Sequence, residues 1–161
     1  MIRPSSPLPV LPVLTSLTFC LVLFFPKPVL AAAINEVLPD EQGLSQLELR
    51  AQQANPREQC FLYTELVHTM TEMAGKEMLA GDVDHASVTL KRVQHYAELI
   101  HLGLANDTKR LKNAELLMSH TNHRLADYMR AASSEDRETL RATLKQLNQI
   151  QDELLTQVFK H

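Results

Sequence analysis

Glycine is scarce in this chain, at 4 of 161 residues. Enzymes that hold a nucleophile or a phosphate in a tight turn usually need glycine there. The sequence has no Gly-x-Ser-x-Gly motif, no phosphate-cradling glycine loop and no Cys-x-x-Cys-His motif for attaching haem. We therefore expect a protein that is not an enzyme and needs no cofactor.

The first 33 residues have the pattern of a secretory signal peptide. Arg3 precedes an apolar stretch over residues 8–25, and small residues follow at 31–33. This order predicts cleavage after Ala33 and an exported protein, periplasmic or secreted. The alternative is an uncleaved anchor, although the stretch at 13–25 is shorter than the ~20 residues that cross a bilayer.

Cysteine is rarer still, with only Cys20 and Cys60. Lipidation at Cys20 is disfavoured because Phe19 stands where a small residue is needed, and the apolar run continues beyond it. After signal cleavage only Cys60 would remain, which excludes a disulfide within the chain. We expect Cys60 to be buried at the edge of an apolar helix face; the alternative is a disulfide between two chains.

A basic cluster is also missing. Cleavage would remove Arg3 and Lys27 from the 16 basic residues, leaving 14 against 19 acidic residues and a formal charge of −5. Nucleic-acid binding depends on clustered lysine and arginine, so the sequence predicts no nucleic-acid partner. The remaining 128 residues fit one domain.

What the sequence does contain is a helical ladder, repeated four times between Arg57 and His161. Apolar residues recur every three or four positions, which is the spacing of helices packed nearly parallel or antiparallel, as in coiled coils. The third ladder is the most regular and consists of Ala86, Leu90, Val93, Ala97, Ile100 and Leu104.

Capping residues set the predicted helix bounds. Asn55-Pro56 starts a helix over 56–80 that ends at Gly81; Asp82 caps 82–105; Asp107 caps 107–132; and Ser133-Ser134 leads into 134–160. Residues 34–54 form a lead segment. Within it, Ser45 and Glu48 resemble a capping box for a short helix over 46–54, with Leu44 and Leu47 docking on the rest.

Four helices of similar length joined by short turns predict an all-α, antiparallel, up-down-up-down four-helix bundle over residues 55–161. One turn, over residues 79–86, resembles the hairpin turn of tetratricopeptide-type repeats. A repeat array is the alternative fold, but a 34-residue period would place a second glycine turn near Glu115, where the sequence has none.

The most specific chemical pattern is a doubled Glu-x-x-His, formed by Glu65 with His68 and by Glu98 with His101. In di-metal carboxylate bundles two such motifs converge in the core. At 100° per residue, however, Glu65 and His68 lie roughly 140° and 160° from the centre of their helix's apolar face, and Glu98 roughly 110° from its own. We therefore predict solvent-facing side chains; a metal-binding bundle, extended by His95, is the alternative.

The other candidate ligands are weaker. His120 and His123, with Asp127 nearby, could form at most a weak surface metal site. Met70, Met73 and Met78 suit Cu(I), but they occupy the apolar stripe and are expected to pack in the core. His85, His95 and His161 have no evident partners in the sequence.

Contact with another protein or self-association is the function that remains. Apolar residues off the ladders could form the contact surface, unless the short lead helix covers them; they are Val88, Leu99, Leu102 and Leu116. A further alternative is small-ligand sensing between the helices, with inward polar groups supplied by Tyr63, Thr121 and Tyr128.

Overall fold

The computed structural model describes residues 40–106, 108–134 and 136–160. The predicted signal peptide, residues 1–33, and residues 34–39 of the lead segment lie outside these ranges. All regular secondary structure in the described residues is helical, as predicted. The helices are α1 (Glu41–Gln53), α2 (Pro56–Leu79), α3 (Val83–Gly103), α4 (Leu111–Ala131) and α5 (Asp136–Lys160). None of them is both long and apolar enough to cross a membrane.

The lead helix α1 is longer than predicted because a different residue caps it. The Asp40 carboxylate accepts a hydrogen bond from the Gly43 N–H at 2.8 Å, whereas the Ser45 hydroxyl lies inside the helix and donates to the Glu41 carbonyl. The predicted capping box is therefore wrong, since Asp40 already satisfies the free N–H groups one turn earlier. Leu44 is buried and Leu47 is partly buried, so their predicted docking role is confirmed.

The α2–α3 hairpin follows its local sequence signals closely. Asn55 caps α2 with Pro56 in the first turn, and Asp82 accepts from the His85 N–H at the start of α3. Gly81 adopts a φ of +83°, the left-handed conformation that glycine takes without strain. All six residues of the predicted α3 ladder are buried.

The helices pack in a ring, with α2 beside α3, α3 beside α5, α5 beside α4, and α4 beside α2. Residue numbers rise together across the α2–α4 interface, where His68 meets Thr121 and Glu72 meets Arg124, so these two helices are parallel. The direction of the chain still alternates from α2 to α5. An up-down-up-down bundle with short turns would place each helix beside the next one in the chain. This is wrong for α3 and α4, which occupy opposite corners of the described bundle.

The last residues of the connection from α3 to α4 contact the start of α2. The Lys109 N–H donates to the Arg57 carbonyl at 2.8 Å. Arg110 then adopts a left-handed φ of 63°, and its guanidinium lies 3.4 Å from the centre of the Phe61 ring. The helix begins at Leu111 rather than at the predicted 107, directly after Arg110, which takes the N-cap position without a side-chain hydrogen bond.

The core fills the space between the four long helices. Met70 is fully buried, and Met73 and Met78 pack against the cluster at its edge, so the predicted core role of these methionines is confirmed. Cys60 is buried, also as predicted. Burial raises the pKa of its thiol to about 12, so the reactive thiolate is strongly disfavoured.

Candidate functional site

Helix α2 is the element that positions the polar groups of the interior. It packs against α1, α3 and α4, so buried side chains occur around most of its circumference. His68, predicted to face solvent, is only 8% exposed. The prediction for His68 is wrong because α2 has more than one buried face: α4 covers the side on which His68 lies.

Glu72 forms the centre of a polar cluster between α2 and α4, in which Glu72 and Tyr128 are buried and the Arg124 side chain is 39% exposed. Arg124 donates two hydrogen bonds to its carboxylate, from Nε to Oε1 at 2.7 Å and from Nη2 to Oε2 at 2.9 Å. The Tyr128 hydroxyl donates to Oε2 at 2.7 Å and accepts from Arg124 Nη2 at 2.6 Å. Each member thus bonds to both others, which is the condition under which a buried charge is tolerated.

The electrostatics of this cluster favour the ionised carboxylate. Burial alone would raise the pKa of Glu72, but the hydrogen bonds from Arg124 and Tyr128 outweigh it and hold the pKa below its ordinary value. Burial, together with the bond to Glu72, raises the pKa of Tyr128 to about 12. Glu72 is therefore charged at neutral pH, Tyr128 keeps its proton, and the cluster links two helices rather than exchanging protons.

Gly75 makes room for this cluster. A Cβ atom built on it would lie 2.2 Å from two carbons of the Tyr128 ring. The ring therefore rests directly on the backbone of α2, one turn beyond Glu72. Neither Glu72 nor Arg124 was predicted from the sequence. Gly75 was the available signal, since a glycine inside a helix often marks a place where another group packs closely against the backbone.

A second polar pair lies one turn earlier on α2. His68 Nδ1 is 3.0 Å from the Thr121 hydroxyl, and the His68 and His120 rings are 5.3 Å apart between centroids. Both histidines, with Glu65, line a groove of about 440 Å³ that α1 borders through Leu47 and Arg50. Thr121 and Tyr128 are thus engaged by neighbouring side chains, while the Tyr63 ring packs against Tyr96.

The doubled Glu-x-x-His motif does not converge. Glu65 and His68 face the groove beside α4, whereas Glu98 is exposed on α3 and His101 bonds to Glu153 of α5. His95 and His123 are exposed, and the Asp127 carboxylate accepts from Arg130. In the part of the chain that the structure describes, no three histidine, cysteine or acidic side chains form a group that could hold a metal ion.

His101 and Glu153 join the ends of the parallel helices α3 and α5. His101 Nδ1 lies 2.6 Å from Glu153 Oε2, and both residues line a groove of about 620 Å³ together with Leu102. The hydrogen bond to Glu153 raises the pKa of His101 above its ordinary value, as does the charge of that carboxylate. The stability that this pair contributes is complete only between the unfolded pKa values of glutamate, ~4.3, and histidine, ~6.5. It is lost as the pH rises through the raised pKa of His101, and again as the pH falls through the lowered pKa of Glu153. Because both groups are partly exposed, the contribution is small.

We expect the His101 imidazole to titrate above pH ~6.5 in an NMR titration of the folded protein. Glu153→Gln should move the midpoint down, because it removes both the hydrogen-bond acceptor and the charge. Glu98→Gln is the matched control and should move it less, since Glu98 contributes only a weaker charge interaction. Equal shifts in the two variants would show that the bond to Glu153 does not form.

Comparison of the chain with protein-family models, with curated proteins and with solved structures found no match.

Proposed function

We propose that this chain is a non-enzymatic, exported helical-bundle protein that acts by protein contact, as a structural or adaptor element of the cell envelope. The signal-like pattern of residues 1–33 supports export. A scaffold role is supported by the polar cluster that joins α2 and α4, because the side chains of Glu72, Arg124 and Tyr128 form hydrogen bonds with one another.

Exposed apolar side chains support the proposal that this protein binds another protein. Of the four residues singled out in the sequence, Val88, Leu102 and Leu116 are exposed, the last two by 61% and 71%. Leu99 instead packs against the core. Leu102 also borders the groove between α3 and α5, which combines apolar walls at Leu104 and Ala105 with the charged groups of Asp152 and Lys160. Concave surfaces of this mixed character suit protein contacts.

Site-specific photo-crosslinking in the producing cell tests this proposal. A photoreactive residue at Leu102 or Leu116 should give one product of defined mass, formed by the processed chain that begins at Ile34. The matched controls are Lys91 on α3 and Lys112 on α4, which are exposed on the same two helices and should give no such product. A product of twice the chain mass would identify a second copy as the partner.

The proposal fails if the processed protein stays strictly monomeric and the apolar positions yield no product beyond those of the lysine controls. Fractionation of the same cells tests export separately. Protein that retains residues 1–33 and remains inside the cell would contradict the envelope assignment.

A further inference from the structure

We propose that Arg50 and Arg110 together bind the carboxylate of a small organic acid. Both residues line a cleft of about 370 Å³, between α1 and the first turns of α2, at the end of the bundle where α4 also begins. This volume is in the range of small-molecule sites, which combine apolar walls with a few polar groups. The two arginines are 60 residues apart in the sequence, so the pairing is not visible there.

Phe61 fixes the position of the Arg110 guanidinium. The central carbon of the guanidinium lies 3.4 Å from the centre of the Phe61 ring, which is itself buried in the core. At so short a distance the guanidinium must lie flat on the ring, because an edge-on approach would push its nitrogens into the ring carbons. The N–H groups at its edge therefore stay available to an acceptor, in the fork geometry that matches a carboxylate.

The two arginines give the cleft its positive charge. In residues 40–106, 108–134 and 136–160, no acidic side chain forms an ion pair with Arg50 or Arg110. Glu58 also lines the cleft, but its Oε1 lies 3.6 Å from Lys109 Nζ. The charge of Glu58 that Lys109 leaves uncompensated repels a dianion more than a monoanion, which favours a carboxylate over phosphate.

The rest of the cleft suits an apolar body. Phe61 and Leu62 form buried walls, and Ala54 is partly buried. The side-chain amide of Gln53 also lines the cleft and can donate a further hydrogen bond. A carboxylate held by the two arginines, with a hydrocarbon chain against these walls, would use both parts of the cleft. Octanoate has this chemistry and serves as the probe.

An NMR titration of protein purified from the producing cell without an affinity tag tests the proposal. Octanoate, kept below its micelle concentration, should give one saturable set of shifts, largest at Ala54, Phe61 and Leu62. Octanol has the same chain without the charge and should bind about tenfold more weakly, because the charge-assisted hydrogen bonds are lost. Equal binding of octanol, or displacement of octanoate by an equal concentration of inorganic phosphate, would overturn the proposed ligand class.

Two variants test the arginines separately. Arg50→Gln and Arg110→Gln should each weaken octanoate binding about tenfold. Arg50 is exposed and is not the arginine that stacks on Phe61, so its variant should keep the fold. Arg141→Gln is the matched control, because Arg141 is an exposed residue of α5 outside the cleft and should leave the affinity unchanged. Unchanged affinity in either cleft variant, or the same loss in all three variants, would overturn the assignment.

The carboxyl end of a peptide offers the same chemistry from a different source. Acetyl-alanyl-leucine with a free carboxylate distinguishes this source from a fatty acid. We expect it to bind more weakly than octanoate, because its amide groups would lose water against the apolar walls. Tighter binding of this peptide would overturn the assignment to a small organic acid. None of these measurements depends on the proposed protein contact through Leu102 or Leu116.

Discussion

Gly75→Ala is expected to lower the free energy of unfolding by about 2–3 kcal/mol, although alanine is the better helix former by ~1 kcal/mol. The new Cβ would lie 2.2 Å from the Tyr128 ring, which must move. Because the hydroxyl of that ring bonds to both Glu72 and Arg124, its displacement also weakens the buried cluster. Urea unfolding followed by circular dichroism measures the change.

Gly103→Ala provides the matched control for this substitution. A Cβ at Gly103 has no atom within 4 Å, apart from its immediate surroundings in the helix, and the residue lies in the last turn of α3. The same chemical change should therefore be neutral or stabilise the protein by up to ~1 kcal/mol. Equal effects at the two positions would show that the Tyr128 ring does not rest on Gly75.

The second large effect is expected from Arg124→Met, at about 2–4 kcal/mol of destabilisation near neutral pH. Glu72 is 4% exposed and would keep its negative charge without its only bidentate partner. The paired substitution Glu72→Met with Arg124→Met should recover most of the loss, because it removes both charges at similar volume. Arg130→Met is the control, since Arg130 forms an exposed pair with Asp127 and should change stability by less than ~0.5 kcal/mol.

The effect of Arg124→Met should depend on pH in a defined direction. In the unmodified protein the pKa of Glu72 is lowered, so its stabilising contribution is present above the unfolded value of ~4.3 and is lost as the pH falls through the folded value. Without Arg124, burial raises the pKa, and the charged form destabilises the fold above it. The difference in free energy of unfolding between the unmodified protein and the Arg124→Met variant, measured in urea, should therefore become smaller at acidic pH. A difference that does not change with pH would mean that lost packing, not charge, destabilises the variant.

Local features of the fold could be predicted from the sequence because they depend on neighbours along the chain. The burial of the α3 ladder, the left-handed turn at Gly81 and the cap at Asp82 match the structure. Each is decided within a few residues, by helical periodicity or by the geometry of one turn. The cap of α1 was misplaced because Asp40 and Ser45 are both good capping residues. In the structure Asp40 caps the helix and Ser45 lies inside it.

The buried polar residues of the candidate site could not be predicted from such local features. His68 and Glu72 lie off the apolar stripe of α2, so periodicity assigned the former to the surface and gave no reason to consider the latter. Both are buried because α2 has three neighbouring helices rather than two. Arg124 and His120, their partners on α4, are 52 residues away along the chain in each case.

The sequence alone determined that this protein is helical, where most of its helices begin and end, and that the apolar ladder of α3 is buried. The tertiary structure decided which helices are neighbours. The 3–4 spacing of an apolar ladder shows that a helix has a buried face, but that spacing by itself does not identify the helix that covers it. Lys109, just before α4, bonds to Arg57 at the start of α2, and the two helices that follow these residues are neighbours. That pairing brings His68 to His120 and Glu72 to Arg124, and the second contact forms the cluster on which the stability predictions above depend.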